Sequence, residues 1–194
     1  LPEHVLAAIE QAKSWQSEAW VSTEFLIDSV WINQMTLRHF FMLDGAGSPF
    51  LTGKQVTSED IAVFLWILSP EYKPCPEARE KFCASIIDVN IEQAMVDIGE
   101  FFEITFADAD TDEGKPKEYA SFVAYMVDMF ASEYGWSAQT ILDMPMRQIY
   151  QLASVIGERY AKQNGKKYTK LRNIDMIKAK AALDAARAAK AVTE

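Results

Sequence analysis

Apolar residues recur every three or four positions along most of this chain, and that spacing predicts helices almost throughout. Val5, Ala8, Ile9, Ala12 and Trp15 follow Pro2 at helical intervals and predict a short first helix. Ser22 or Thr23 can cap a second, with Phe25, Leu26, Val30, Trp31, Met35, Leu37, Phe40 and Phe41 forming a broad apolar face as far as Leu43. Asp44-Gly-Ala-Gly-Ser-Pro then interrupts the pattern with turn residues. Thr57-Ser-Glu-Asp60 reads as an N-terminal cap for the run IAVFLWIL, which Ser69-Pro70 ends.

Three prolines, Pro70, Pro74 and Pro76, predict a stiff connector into a long helix from about Pro76 to Phe106. Phe82/Cys83, Ile86/Ile87, Ile91, Ala94/Met95, Ile98 and Phe101/Phe102 would line it. At that length it would run about 45 Å and act as the backbone of the fold. Beyond the polar loop DADTDEGKPK, Tyr119 to Tyr134 predicts another helix, with Phe122, Met126, Met129 and Phe130 inward and Gly135 closing it. Ser137 then caps a short helix carrying Ile141 and Leu142. Pro145 disfavours helical geometry at Met144 and pre-sets the next first turn, so Ile149, Leu152, Ile156 and Tyr160 belong to a second helix that ends at Asn164-Gly165. The pair is a helix-corner-helix. From Asp175 to Val192 the chain is alanine-rich with scattered Lys and Arg, which predicts a last helix with little large apolar surface. No β-hairpin and no internal repeat is expected. The resulting picture is an all-α, irregular multi-helix bundle with a long central helix and a C-terminal Ala/Lys-rich helix. It divides into a bundle domain, 1–165, and a basic tail, 166–194.

Composition agrees with a folded chain: 49% of the 194 residues are hydrophobic and 12% aromatic, enough apolar surface to offset the entropy of ordering. The longest conspicuous apolar run, Ile61 to Leu68, falls far short of the roughly 20 residues of a membrane span. Cys75 and Cys83 form neither a CxxC pair nor a disulfide framework, and no charged n-region precedes an apolar segment, so no signal peptide and a reducing, cytoplasmic setting are expected. The net charge of -9 is unevenly divided. Residues 166–194 hold eight basic side chains (Lys166, Lys167, Lys170, Arg172, Lys178, Lys180, Arg187, Lys190) against three acids (Asp175, Asp184, Glu194), a local +5, which leaves -14 on the other 165 residues. An acidic body with a basic tail can dock on an acidic surface, a second copy of itself included.

The familiar catalytic patterns are missing. GAGSPFLTGKQ has five residues between Gly47 and Gly53, and Gln55 follows Lys54, so it reads as a turn rather than a phosphate loop. Asp88 and Glu92 fall on one face of the expected long helix, but neither His4 nor His39 has the Glu three residues earlier that a di-metal bundle site needs. His39 reads as an ordinary helix-end residue. The segment Asp108-Ala-Asp110-Thr-Asp112-Glu-Gly114 approximates a calcium loop, yet glycine is seventh instead of sixth and Glu118 eleventh instead of twelfth. Residues 137–160 have the outline of a helix-turn-helix offering Arg147, Gln148, Gln151 and Arg159. The acidic body and the Met-Pro in place of a glycine turn weigh against nucleic acid. No metal, no cofactor and no enzymatic activity are expected.

The stretch YGWSAQTILDMPMRQIYQLASVI, within Tyr119 to Gly165, resembles a pattern in small helical tail-assembly proteins of tailed bacteriophages. The pattern is an aromatic-Gly-Trp-Ser opening, a short helix ending in Leu-x-Met/Leu-Pro, then an apolar helix; here Trp136, Ile141, Leu142, Pro145, Ile149 and Leu152 carry it. The resemblance implies a non-enzymatic assembly chaperone or adaptor in the host cell cytoplasm, covering apolar helical segments of a phage tail or virion component. Met126, Met129, Phe130, Trp136, Met144 and Met146 are the expected partner-binding residues, since flexible methionine adapts to varied apolar partners. Methionine and aromatic side chains at helical spacing also serve as core. The alternative is a structural virion or scaffold subunit, a homo-oligomeric ring held by acidic body and basic tail.

Overall fold

The computed structural model describes Trp20 and residues 24–109 and 121–165. The expected helices over 2–15 and 175–192, the whole basic tail and most of the 108–114 loop lie outside the described residues. What is described is mainly helical, with eight helices and one two-stranded antiparallel sheet.

That sheet replaces the first half of the expected second helix. β1 (Glu24–Ile27) and β2 (Val30–Asn33) form a hairpin with Phe25 opposite Ile32, Leu26 opposite Trp31 and Ile27 opposite Val30. Phe25, Ile27, Val30 and Ile32 turn towards the core, while Leu26 and Trp31 point outward. The β-branched Ile27, Val30 and Ile32 suit a pleated strand better than a helix. Asp28 makes the turn with φ at 50°, a left-handed conformation that a short polar side chain tolerates. Its amide donates to Asp97 Oδ2 at 2.6 Å, which ties the hairpin to a later helix.

Thr36 then caps α1 (Leu37–Gly45), so only the second half of the expected helix is helical. A short α2 (Pro49–Thr52) follows and closes on left-handed Gly53, where φ is 67°. α3 (Ser58–Leu68) begins at the Thr57 cap as expected: Asp60 N–H donates to Thr57 Oγ1, and Asp60 Oδ2 accepts from the Thr57 amide. Phe64, Leu65, Trp66, Ile67 and Leu68 are all buried in succession, so α3 is enclosed on every side of its last turns. It is the central element, and β2, α1, α4 and α5 surround it.

The expected long helix is two helices. α4 (Pro76–Ser85) stops where Ser85 Oγ donates to the Phe82 carbonyl, and α5 (Ile91–Thr105) restarts at Asn90, whose side chain accepts from the Gln93 amide. Between them Ile87 is 82% exposed, an apolar residue that leaves the core stripe. A local N-cap at Asn90 therefore overrides the continuing apolar spacing. One consequence is that Asp88 lies in the turn and Glu92 in the next helix; the two do not share a helix face.

α6 (Phe122–Tyr134), capped by Ser121 and closed by left-handed Gly135, leads to α7 (Ala138–Leu142), capped by Ser137. Pro145 is the N-cap of α8 (Met146–Gln163), which ends at Asn164. The Met-Pro-Met corner between α7 and α8 is pinned from across the fold. Leu37 N–H donates to the Met144 carbonyl at 3.0 Å and Met146 N–H to the Met35 carbonyl at 2.8 Å, with Thr36 opposite Pro145. Pro145 thus occupies the position of the bridge that needs no donor, and its missing N–H costs nothing there.

Core and cap should separate cleanly in stability. Phe64→Ala is expected to cost about 3–5 kcal/mol and Thr57→Ala only about 1 kcal/mol, measured by urea unfolding. A Phe64→Ala loss no larger than that of Thr57→Ala would contradict the central placement of α3.

Candidate protein-binding surface

The six expected partner-binding residues divide between interior and half-buried positions. Met126, Phe130 and Met146 are buried in the core. Met129, Trp136 and Met144 are half-buried and pack against it. Phe130, Tyr134 and Trp136 stack in a series, with centroids 4.6 Å apart for Tyr134 and Trp136 and 6.2 Å for Phe130 and Trp136. A partner meeting this folded surface would touch Met129, Trp136 and Met144, and would not reach the other three.

The polar residues that give the corner its helix-turn-helix outline are engaged within the chain. Arg147 is buried with its Nε 3.6 Å from Asp108 Oδ2, and Gln151 Nε2 donates to the same oxygen at 2.8 Å. Trp20 Nε1 donates in turn to Gln151 Oε1 at 2.9 Å. Arg159 pairs with Glu133 at 2.8 Å, and Tyr160 donates to the same carboxylate. Asp108, first residue of the calcium-like segment, is itself buried. The links through Asp108 and Gln151 join residues 39 to 131 positions apart, and no local pattern announces them.

The largest outward apolar feature of the sheet lies on the hairpin. Leu26 and Trp31 face each other across the strands and are 49% and 57% exposed. Trp31 borders a groove of about 330 Å³ whose apolar lining comes from Val30, Pro70, Phe82, Ile86 and Val89. Glu71 and Asp88 stand at its edge, both exposed, so the rim is acidic. Hydrogen bonds from the Asp28 amide to Asp97 Oδ2 and from the Asn90 amide to Asp28 Oδ2 (3.4 Å) tie the hairpin turn to α5 beside the groove. The groove is sized for a few side chains. Together with Leu26 and Trp31 it can take one apolar edge of an incoming helix, with basic flanking residues favoured by the rim.

The sequence places Leu26, Val30, Trp31, Phe82 and Ile86 on expected helix faces and weighs Asp88 only as a metal ligand; it does not bring these residues together as a surface. Their signal was the Asp28-Ser29 pair between two β-branched runs, masked because Leu26 and Trp31 fill the outward positions with apolar side chains. Among the described residues, no cluster of three or more His, Cys, Asp or Glu is placed to hold a metal ion. Nor, among them, is any helix long and apolar enough to cross a membrane. Cys75 is exposed and Cys83 half-buried, both as free thiols.

His39 has a more specific place than a generic helix end. It forms a capping box with Thr36: its amide donates to Thr36 Oγ1 at 3.2 Å, and its Nδ1 accepts from the Thr36 amide at 3.3 Å. Burial lowers its pKa, and the neighbouring Arg38 charge adds to this, against a hydrogen bond to the Gln34 backbone and the charge of Asp143. The unfolded chain therefore binds the proton more readily, near the ordinary value of 6.5. The stabilisation is complete above that value and is lost as pH falls below it towards the lower folded value. The carboxylate of Asp143, held low by Arg38, and that of Asp60, held low by Thr57, lose their contributions only in a more acidic window, below 3.8. Unfolding titrations should show stability declining as pH drops below about 6.5. His39→Gln, which keeps an acceptor for Thr36, should remove that step; its persistence would place the titration elsewhere.

No protein-family model, no curated protein and no solved structure matches this chain.

Proposed function

We propose that this chain is a non-enzymatic phage assembly protein, a tail-assembly chaperone or adaptor that binds apolar helical segments of a partner protein. The observation that carries the reading is the outward Leu26–Trp31 pair beside its groove: large, solvent-facing apolar side chains on a hairpin anchored to α5. Such a surface holds its shape before a partner arrives, which lowers the ordering cost of binding. The phage-like stretch 134–156 supports the same reading from the sequence side; within it Trp136 and Met144, and just before it Met129 of α6, are half-buried apolar residues open to a second contact. No catalytic step or cofactor enters this function, and the cytoplasm of an infected cell is where it would act.

A second reading, a virion or scaffold subunit assembling into a ring, draws on the charge division between the acidic body and the basic 166–194 segment. Light scattering separates the two: an adaptor stays monomeric or a small oligomer when concentrated, whereas a ring component assembles.

The chaperone reading is tested by aggregation of a synthetic apolar helical segment carrying basic flanks. The full chain should suppress its aggregation. Trp31→Ala should weaken that effect roughly tenfold or more, as expected for an aromatic anchor, while costing at most about 1 kcal/mol of stability. Suppression by Trp31→Ala equal to that of the parent chain would remove the hairpin from the function; no suppression by either would refute the chaperone reading.

A further inference from the structure

We propose that α4 is a hinged strap, which lifts from Trp66 and joins the clefts on its two flanks into one trough for a partner helix. Of the ten residues of α4 only Phe82 is buried; Ala78 and Cys83 are half-buried and the others exposed. Its packing is chiefly against α3, where the Phe82 and Trp66 rings lie 5.1 Å apart. The Arg79–Glu59 ion pair at 3.4 Å adds little, because both side chains are well solvated. A helix held by one buried side chain has few contacts to lose, so it can open while the rest of the fold stays closed.

Both flanks of that anchor are open. On one, Arg79 and Cys83 of α4 line a cleft of about 540 Å³ together with Trp66, Pro74 and Pro76. On the other, Phe82 and Ser85 form a wall of the 330 Å³ groove beside Trp31. Helical spacing agrees: Arg79 and Cys83 fall to one side of Phe82, Ser85 to the other. The helix is thus the partition between the two spaces. Glu77, Lys81 and Ala84 lie on its far side, all exposed.

Its ends suit a swing. Pro70, Pro74 and Pro76 restrict the connector before α4, which favours movement of the helix as a body. After Ser85 the chain leaves the helix for the turn that carries the exposed Ile87, and Asn90 re-anchors it by donating to Asp28 Oδ2. Hinges are a few positions of this kind at the ends of elements. Lifting uncovers Trp66, only 5% exposed beneath the strap, for an apolar anchor of the incoming helix in place of Phe82. The hairpin wall with Leu26 and Trp31 stays where it is. While closed, the strap lowers the apparent affinity by the fraction of molecules that are open. This use of the trough rests on the chaperone or adaptor reading above; the hinge itself does not.

The test places nitroxide labels at Glu59→Cys and Lys81→Cys in the full chain, with Cys75→Ser and Cys83→Ser, and reads the α3 to α4 distance by pulsed electron resonance. Adding Phe82→Ala, with circular dichroism unchanged, should enlarge a second, longer-distance population roughly tenfold or more. Arg79→Gln, which removes only the exposed ion pair, should act in the same direction by less. Phe82→Ala should also bind the basic-flanked apolar helical peptide several-fold more tightly than the parent chain, although a core side chain has been removed. One unchanged distance in both variants would overturn the strap. A second distance with peptide binding unchanged or weakened would overturn its gating role. A second distance with no peptide binding by any chain would refute the partner reading, and the gating with it, while the hinge stood.

Discussion

An unbroken series of aromatic contacts runs through this protein and holds its short elements in one body. Phe25 of β1 meets Phe101 edge-on at 5.1 Å, Phe101 meets Phe64 at 5.9 Å, and Phe64 meets Phe50 at 4.9 Å. From Phe50 the series passes to Phe102 (6.1 Å), Phe106 (5.6 Å) and Tyr150 (5.9 Å), then through Phe122 to Phe40. Such contacts add about 0.5–1.5 kcal/mol each beyond the area they bury. The helices need them, because elements as short as the four-residue α2 or the five-residue α7 have no stability alone. Burial also pushes the Tyr150 hydroxyl far above its ordinary pKa, so it remains a neutral part of this core at any physiological pH.

The Met-Pro-Met corner depends on the same body. Its two backbone hydrogen bonds to Met35 and Leu37 join the hairpin's exit to the turn between α7 and α8, more than a hundred residues apart. Proline is compatible because the bridge leaves its nitrogen without a role. The corner is therefore a structural joint, and its flanking methionines divide accordingly: Met146 inside, Met144 at the edge.

Local chemistry was legible at several places where a side chain sets its own backbone. The caps at Thr57 and Ser137, the left-handed closure at Gly135 and the end at Asn164-Gly165 all follow from residue type and spacing. Two elements were misread, and for related reasons. Between Glu24 and Asn33 apolar residues occupy both faces of the strands, so the period of two is hidden and the segment imitates a broad helical stripe. Between Ser85 and Ile91 the exposed Ile87 keeps the helical spacing alive across a real break. In both places an apolar side chain faces solvent where folding alone would favour a polar one, and such conflicts between local pattern and global fold are expected at functional surfaces. The buried Asp108–Arg147–Gln151 cluster was illegible for another reason: its members meet only after α5 and α8 have packed.

The molecule thus separates an aromatic interior that fixes shape from a few outward apolar positions that folding does not consume. The most direct measurement of that division is deuterium exchange of the full chain with and without a basic-flanked apolar helical peptide. The account predicts slowed exchange in the hairpin, 24–33, and the turn, 85–90, with α3 and the second half of α5 unchanged. Protection spreading through α3, or a hairpin that exchanges equally in both samples, would contradict it.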